Sequence, residues 1–335
     1  MKVDAGVLGE LRDVPARARA LEEAGYDGLM TAETAHDPFL PVVLAAEHTE
    51  RVELMTSIAV AFARTPMLLA VLGHDLNAYS QGRFILGLGS QIRAHVTKRF
   101  GMPWSHPARR MRELILAIRA IWACWYDGEK LDFRGEFYTH TLMTPFFTPT
   151  DTRHGAPPVY LAAVGKLMAE VAGEVADGLI AHAFTTERYL REITLPAIER
   201  GLARSGRSRP AFTLSCPVFI VSGEDDRACT ASRRAVAQQI AFYGSTPAYR
   251  PVLELHGWGA LQEELHRLSK QGRWEEMGER ISDEMIETFA IVAEPDRIAE
   301  GLRARFGGLL DRIVCTYQPP SPEGQRELLE ALKKL

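Results

Sequence analysis

Eight short apolar runs, each leading into a helical stretch, constrain this 335-residue chain more than any other feature. The runs fall at 3–8, 28–32, 52–62, 84–87, 159–163, 178–182, 213–221 and 312–316. Between them lie helical patterns at 14–24, 38–49, 66–79, 107–126, 167–175, 186–205, 225–242 and 295–305, and a last one at 320–335. Most runs are apolar throughout rather than alternating. Such strands suit a parallel sheet buried on both faces by helices. The chain therefore reads as α/β, a single eight-stranded (β/α)8 barrel over 1–335. Three stretches depart from the rhythm. Those near 89–107 and 243–285 read as insertions after strands four and seven, and 127–157 as an excursion before strand five, with a hairpin at 131–138. A doubly wound open sheet is the alternative, but Gly6, Gly9 and Glu10 do not form its glycine fingerprint after the first strand.

Composition narrows the class further. A formal charge of −4 gives no general attraction to nucleic acid or membrane, so a small-molecule partner is expected. Cys124, Cys216, Cys229 and Cys315 are scattered without C-x-x-C spacing, which suits reduced thiols and a cytoplasmic location. Strand-like sequence follows Met1 directly, and no apolar run reaches membrane-spanning length. No P-loop, H-E-x-x-H or G-x-S-x-G pattern is present, and no metal site is expected.

In a barrel of this kind the chemistry lies where strands end and loops begin. The second strand is followed by Glu33, His36 and Asp37, the fourth by Gly89, Ser90, Gln91 and His95, and the sixth by His182. The fifth turns through Val164 and Gly165 into a helix beginning near Lys166 and Leu167. A strand that enters a helix on a glycine leaves the first amides unpaired at the positive end of the helix dipole, a ready anion site. The alternative is an ordinary strand-to-helix turn. Asp37, before Pro38, reads as a helix cap. His48, His74 and His266 fall within helical patterns and read as structural.

Five segments resemble the bacterial-luciferase-like superfamily, and most closely its branch using the deazaflavin coenzyme F420. They are A-x-x-L-E-E-A-G-Y-D-G-L at 18–29, S-x-G-R-F-I-L-G-L-G at 80–89, P-P-V-Y-L-A-A-V-G-K at 157–166, A-G-E-V-A-D-G at 172–178 and A-I-V-A-E-P-D-R-I-A-E-G-L at 290–302. The resemblance implies a barrel with a flavin or deazaflavin across its mouth. Its phosphate would meet Val164, Gly165, Lys166 and Leu167, and its ring would lie on the end of strand three, where a cis non-prolyl peptide is expected at Ser57–Ile58. Gly89, Ser90 and Gln91 would skirt the ring's polar edge. The superfamily's Asp-His pair after strand two is replaced here by Glu33-Thr34 with His36 two residues on. His36 then becomes the expected proton donor or acceptor and Glu33 its orienting partner, unless both merely cap the next helix. His95, His182 and Trp104 are expected in the substrate pocket, with Trp258 a second candidate cover. The implied reaction is hydride transfer between F420 and a small carbonyl, imine, activated alkene or alcohol. An FMN-dependent monooxygenase and a non-catalytic flavin-binding barrel are the alternatives. Barrels of this superfamily often pair through helices, so a homodimer is also expected.

Overall fold

The computed structural model describes residues 1–315, 317, 319 and 321–334. Among them, eight parallel strands close on one another: β1 (Lys2–Gly6), β2 (Gly28–Thr31), β3 (Glu53–Thr56), β4 (Phe84–Gly89), β5 (Val159–Ala163), β6 (Gly178–Ala181), β7 (Thr213–Val221) and β8 (Arg312–Cys315). Closure is made by β7, whose start pairs with β6 (Thr213 opposite Gly178) and whose middle pairs with β8 (Ser215 opposite Arg312). The barrel helices are α1 (Val14–Ala24), α2 (Phe39–Glu47), α3 (Pro66–Tyr79), α4 (Pro107–Tyr126), α5 (Lys166–Val175), α6 (Leu195–Arg204), α7 (Ile298–Phe306) and α8 (Pro322–Lys333). Local chemistry explains their starts. Proline stands in the first turn of α3 and α4, where its missing N–H costs nothing, and the Thr65 hydroxyl accepts from Leu68 N–H to cap α3.

Four expectations shift. The third apolar run is two strands, β3 and Ala59–Val60, interrupted at a Ser57–Ile58 peptide that is cis, as the resemblance implies. The hairpin is offset to Phe133–Arg134 and Thr139–His140, drawn along α4 because Glu113 accepts from the amides of Glu136, Phe137 and Tyr138. A short strand, Ala290–Val292, extends the upper end of β7. The helix Asp226–Gly244 is not a barrel helix but packs with the helical pieces that follow it. Position 316 of the expected last strand, and 320 and 335 of the terminal helix, lie outside the described residues.

Two ends of the barrel differ sharply. At the N-terminal end Arg312 donates to both Asp4 oxygens, at 2.6 and 2.8 Å, and also reaches Glu53, filling the axis with a buried ion cluster. Above it lies a layer of apolar side chains: Met30, Met55, Ile85, Tyr160 and Ile180, with Ile58, Ala162 and Val314 only partly buried on top. The C-terminal end is the open one.

Beside that open end, Phe184, Tyr189, Phe219 and Val221 leave the main core and join Val236, Ile240, Val252, Leu265, Ile286 and Phe289 in a second hydrophobic cluster. The residues from about 226 to 289 thus form a helical cap over the β6–β7 side. Among the described residues no helix is long and apolar enough to cross a membrane.

Candidate active site at the barrel mouth

Period-two geometry decides what faces the mouth, since alternate residues of a strand share a face. Met30, Ile85 and Ile180 point to the axis, so the next same-face positions are Ala32, Gly87 and His182. Ala162 likewise leads to Val164. These residues ring a shallow apolar floor made by Ile58, Ala162 and Val314.

The turn from β5 to α5 is open. Gly165 precedes the helix in an extended conformation, φ −86° and ψ 152°, with no side chain capping the helix start. A Cβ built at Gly165 meets no atom within 4 Å. Lys166 and Leu167 beside it are exposed, and Val164 is half-buried. The amides of Lys166, Leu167 and Met168, at the start of a ten-residue helix, are the donors such an end offers. This corner fits a phosphate.

The polar side of the mouth, after β2 and β3, is arranged differently from expectation. Glu33 does not orient His36. Its carboxylate accepts from Val60 N–H at 2.7 Å and from Arg64 at 2.6 Å, and its own N–H donates to Ile58 O. Arg64 also pairs with Asp37 at 2.9 Å, and Asp37 accepts from Phe39 N–H at the start of α2. Glu33 is therefore a brace that fixes the Ser57–Val60 segment under the mouth. Its carboxylate is drawn there because it is nearly buried, its side chain 6% exposed, and must be paired. His36 stands exposed on the braced loop and makes no hydrogen bond among the described residues. Arg64 went unremarked in the sequence, although a lone arginine just after an apolar strand, one strand over from a glutamate, is the available signal.

Turn residues after β4 serve their own turn. A Cβ on Gly89 would come within 2.9 Å of the Ile58 side chain, so this glycine makes room for Ile58 rather than for a ring. Gln91 adopts a left-handed φ of 58° and accepts from Ile92 N–H, while Ser90 donates to Gln91 O. His95 is exposed in the helix Arg93–Lys98. Trp104 packs edge-on against Phe62, ring centres 5.8 Å apart, and covers the main core. Trp258 stacks on His256 at 4.9 Å. His48, His74 and His266 bond to Leu44 O, the Tyr126 hydroxyl and Ser245 O, in keeping with structural roles.

His182 directly follows β6 and packs against the cap. Its Nδ1 accepts from Phe184 N–H at 3.0 Å. Its ring lies against Tyr243 and Tyr249 at 4.4 and 4.8 Å. Burial pushes its pKa down to about 4, so the imidazole is neutral at pH 7. Both tyrosines come from the cap and were missed in the sequence, where they sit at the edge of the region read as an insertion.

Comparison with known proteins fits this geometry. Residues 2–312 match the family described as luciferase-like monooxygenase. An uncharacterized protein of Mycobacterium tuberculosis is 56% identical, covering 96% of this chain and 95% of that one. The 5,10-methylenetetrahydromethanopterin reductase of Archaeoglobus fulgidus is 30% identical over 92% of this chain and 90% of its own. Among solved structures, the coenzyme F420-dependent tetrahydromethanopterin reductase from Methanopyrus kandleri superposes with a TM-score of 0.78 at 20% identity, covering 98% and 96% of the two chains.

Proposed function

The chain belongs to the luciferase-like monooxygenase family, and from that premise we propose that it is an oxidoreductase moving a hydride between coenzyme F420 and a small organic molecule. The observation that carries this reading is the open, uncapped start of α5, where Gly165 leaves the amides of Lys166 and Leu167 accessible. Those amides would hold the coenzyme's phosphate, with Val164 and Lys166 beside it. When bound, the reduced deazaflavin supplies the hydride. The protein supplies everything else. Ile58, Ala162 and Val314 give a dry floor for a flat ring, and the Glu33–Arg64 brace holds Ser57 and Ile58 in place beneath it. Exposed Arg93, Lys98 and Arg99 near the rim favour an acidic coenzyme tail. His36, exposed at the rim with no hydrogen-bond partner among the described residues, exchanges the proton that accompanies the hydride.

The test is cofactor choice by the apo-protein. F420 should bind more tightly than FMN. Submicromolar FMN binding with none of F420 would instead favour the monooxygenase reading that the family's description carries. Because a Cβ at 165 has open space around it and Asp is favoured at a helix start, Gly165→Asp should leave the fold intact. It should weaken F420 roughly 10- to 100-fold by placing a carboxylate beside the phosphate.

We also assign a homodimer. Leu40 and Val43 on α2, and Leu68 and Val71 on the neighbouring α3, are exposed apolar residues on adjacent helices. A second copy would cover them. Leu68→Arg should shift the native mass from dimer to monomer. The four cysteines are unpaired, and we place the protein in the cytoplasm.

A further inference from the structure

Strands β6 and β7 lie four places around an eight-stranded barrel from β2 and β3, so the cap side of the mouth faces the Glu33–Arg64 brace across the axis. On that far wall are polar groups that hydride transfer alone does not employ. We propose that His182, Tyr243 and Tyr249 form the substrate-binding wall, and that the substrate is an uncharged, flat carbonyl or imine whose oxygen or nitrogen accepts a hydrogen bond from His182 Nε2–H. This rests on the barrel mouth being the hydride-transfer site.

Three observations lead there. First, strand parity aims His182 at the axis one layer above Ile180, and the side chain remains only partly buried. Second, Phe184 N–H donates to His182 Nδ1 at 3.0 Å. An imidazole nitrogen that accepts cannot carry the proton, so the ring is the tautomer protonated on Nε2, the nitrogen on its far side. Among the described residues Nε2 makes no hydrogen bond, and neither does the Tyr249 hydroxyl. The Tyr243 hydroxyl is engaged by Gln239. Third, the surroundings are aromatic. The Tyr243 ring meets the imidazole edge-on at 87°, Tyr249 lies 6.4 Å from Tyr243, and Phe184, Phe219 and Phe289 close the wall from behind.

Electrostatics then select the ligand. Burial alone accounts for the lowering of His182, with no charged side chain contributing. Burial, and then Tyr243, push Tyr249 up to about 12. All three groups stay neutral through the physiological range. A phosphate or carboxylate seated here would lose its water, and among the described residues no cation acts on these three groups to replace it. A neutral C=O or C=N loses little, gains the Nε2–H bond, and lies with its ring system against rigid aromatic faces.

The experiment titrates holoenzyme carrying oxidised F420 with two aldehydes of similar size, 4-methoxybenzaldehyde and 4-carboxybenzaldehyde. The neutral aldehyde should bind roughly ten-fold tighter than the carboxylate. His182→Leu and Tyr249→Phe should each lower its affinity roughly five- to ten-fold. His182→Gln, which keeps an N–H donor, should restore most of it. The affinity for F420 should stay within about two-fold of wild type in every variant. Equal or tighter binding of the carboxylate would overturn the proposal. So would undiminished affinity in both His182→Leu and Tyr249→Phe, or no saturable binding of the neutral aldehyde at millimolar concentration. Failure of the wild-type protein to bind F420 would instead bring down the hydride-transfer reading itself.

Discussion

Two sides of one barrel mouth solve the same problem by different means. On the β2–β3 side the loops are exposed, and they are held by charge: Arg64 ties Glu33 and Asp37 together, and Glu33 in turn holds Val60 N–H. On the β6–β7 side the cap leaves His182, Tyr243 and Tyr249 only partly exposed, and the wall is held by rings: these three with Phe184 and Phe289 in mutual contact. The difference teaches where each kind of chemistry belongs. On the proposed mechanism, a proton that must come from or return to solvent is handled by His36 on the exposed side. A substrate atom that must be held still beside a hydride donor is better met by a neutral donor on the dry side, where a hydrogen bond competes with little water.

The comparison breaks most visibly if the charged brace is cut. In Arg64→Met the nearly buried Glu33 carboxylate loses its cation. Stranding one member of such a pair costs about 3–5 kcal/mol, and the Ser57–Val60 segment should loosen with it. The urea midpoint measures the first effect, and hydrogen exchange at Val60 N–H the second. A loss below about 1 kcal/mol would mean that the brace is no more than a surface ion pair.

Acid sharpens the contrast from the other side. His182 is held below its ordinary value of 6.5, at about 4, by burial. Between those values the unfolded chain binds a proton that the folded chain refuses. Its contribution is therefore fully present above about pH 6.5 and is lost as pH falls toward 4. Relative to pH 7, roughly 2–3 kcal/mol should disappear by pH 4.5. Carboxylates titrate in the same window, so the informative quantity is the difference from His182→Gln, which lacks the titrating ring. If wild type and variant lose stability in parallel, the cap does not hold the His182 ring neutral.

How much of this was legible beforehand follows the same division. Near-continuous apolar strands such as 159–163 and 178–182 suit the inside of a helix-covered parallel sheet. The count of eight, with no glycine fingerprint after the first, favours the barrel over an open sheet and so gives its rim positions. Strand parity then carries His182 to the axis, and the glycine turn at 165 marks the anion corner. What the pattern cannot convey is where a side chain reaches once a loop has folded. Glu33 sits near His36 in sequence yet turns to Arg64 and Val60 N–H, because a nearly buried carboxylate seeks the fullest pairing available. Tyr243 ends a helix and Tyr249 ends a 3-10 turn. Periodicity marks a helix's buried face but not the direction in which a cap docks, so nothing in the spacing brings them beside a histidine some sixty residues earlier.

The smallest expected change in stability tests the wet side most directly. His36 is exposed and makes no hydrogen bond among the described residues, so His36→Gln should alter the urea midpoint by less than about 0.5 kcal/mol. Turnover is another matter. Glutamine can still hydrogen-bond but cannot exchange a proton near neutral pH, and loss of general acid-base catalysis lowers kcat roughly 100-fold or more. The F420 affinity should not move. Added imidazole, small enough to enter from solvent at an exposed position, should restore part of the rate in His36→Ala but none in His182→Leu, whose ring lies against Tyr243 and Tyr249. Rescue of both would erase the distinction between a wet wall and a dry one. Rescue of neither, with kcat unchanged in His36→Gln, would move the proton donor away from this loop and leave the brace as its sole purpose.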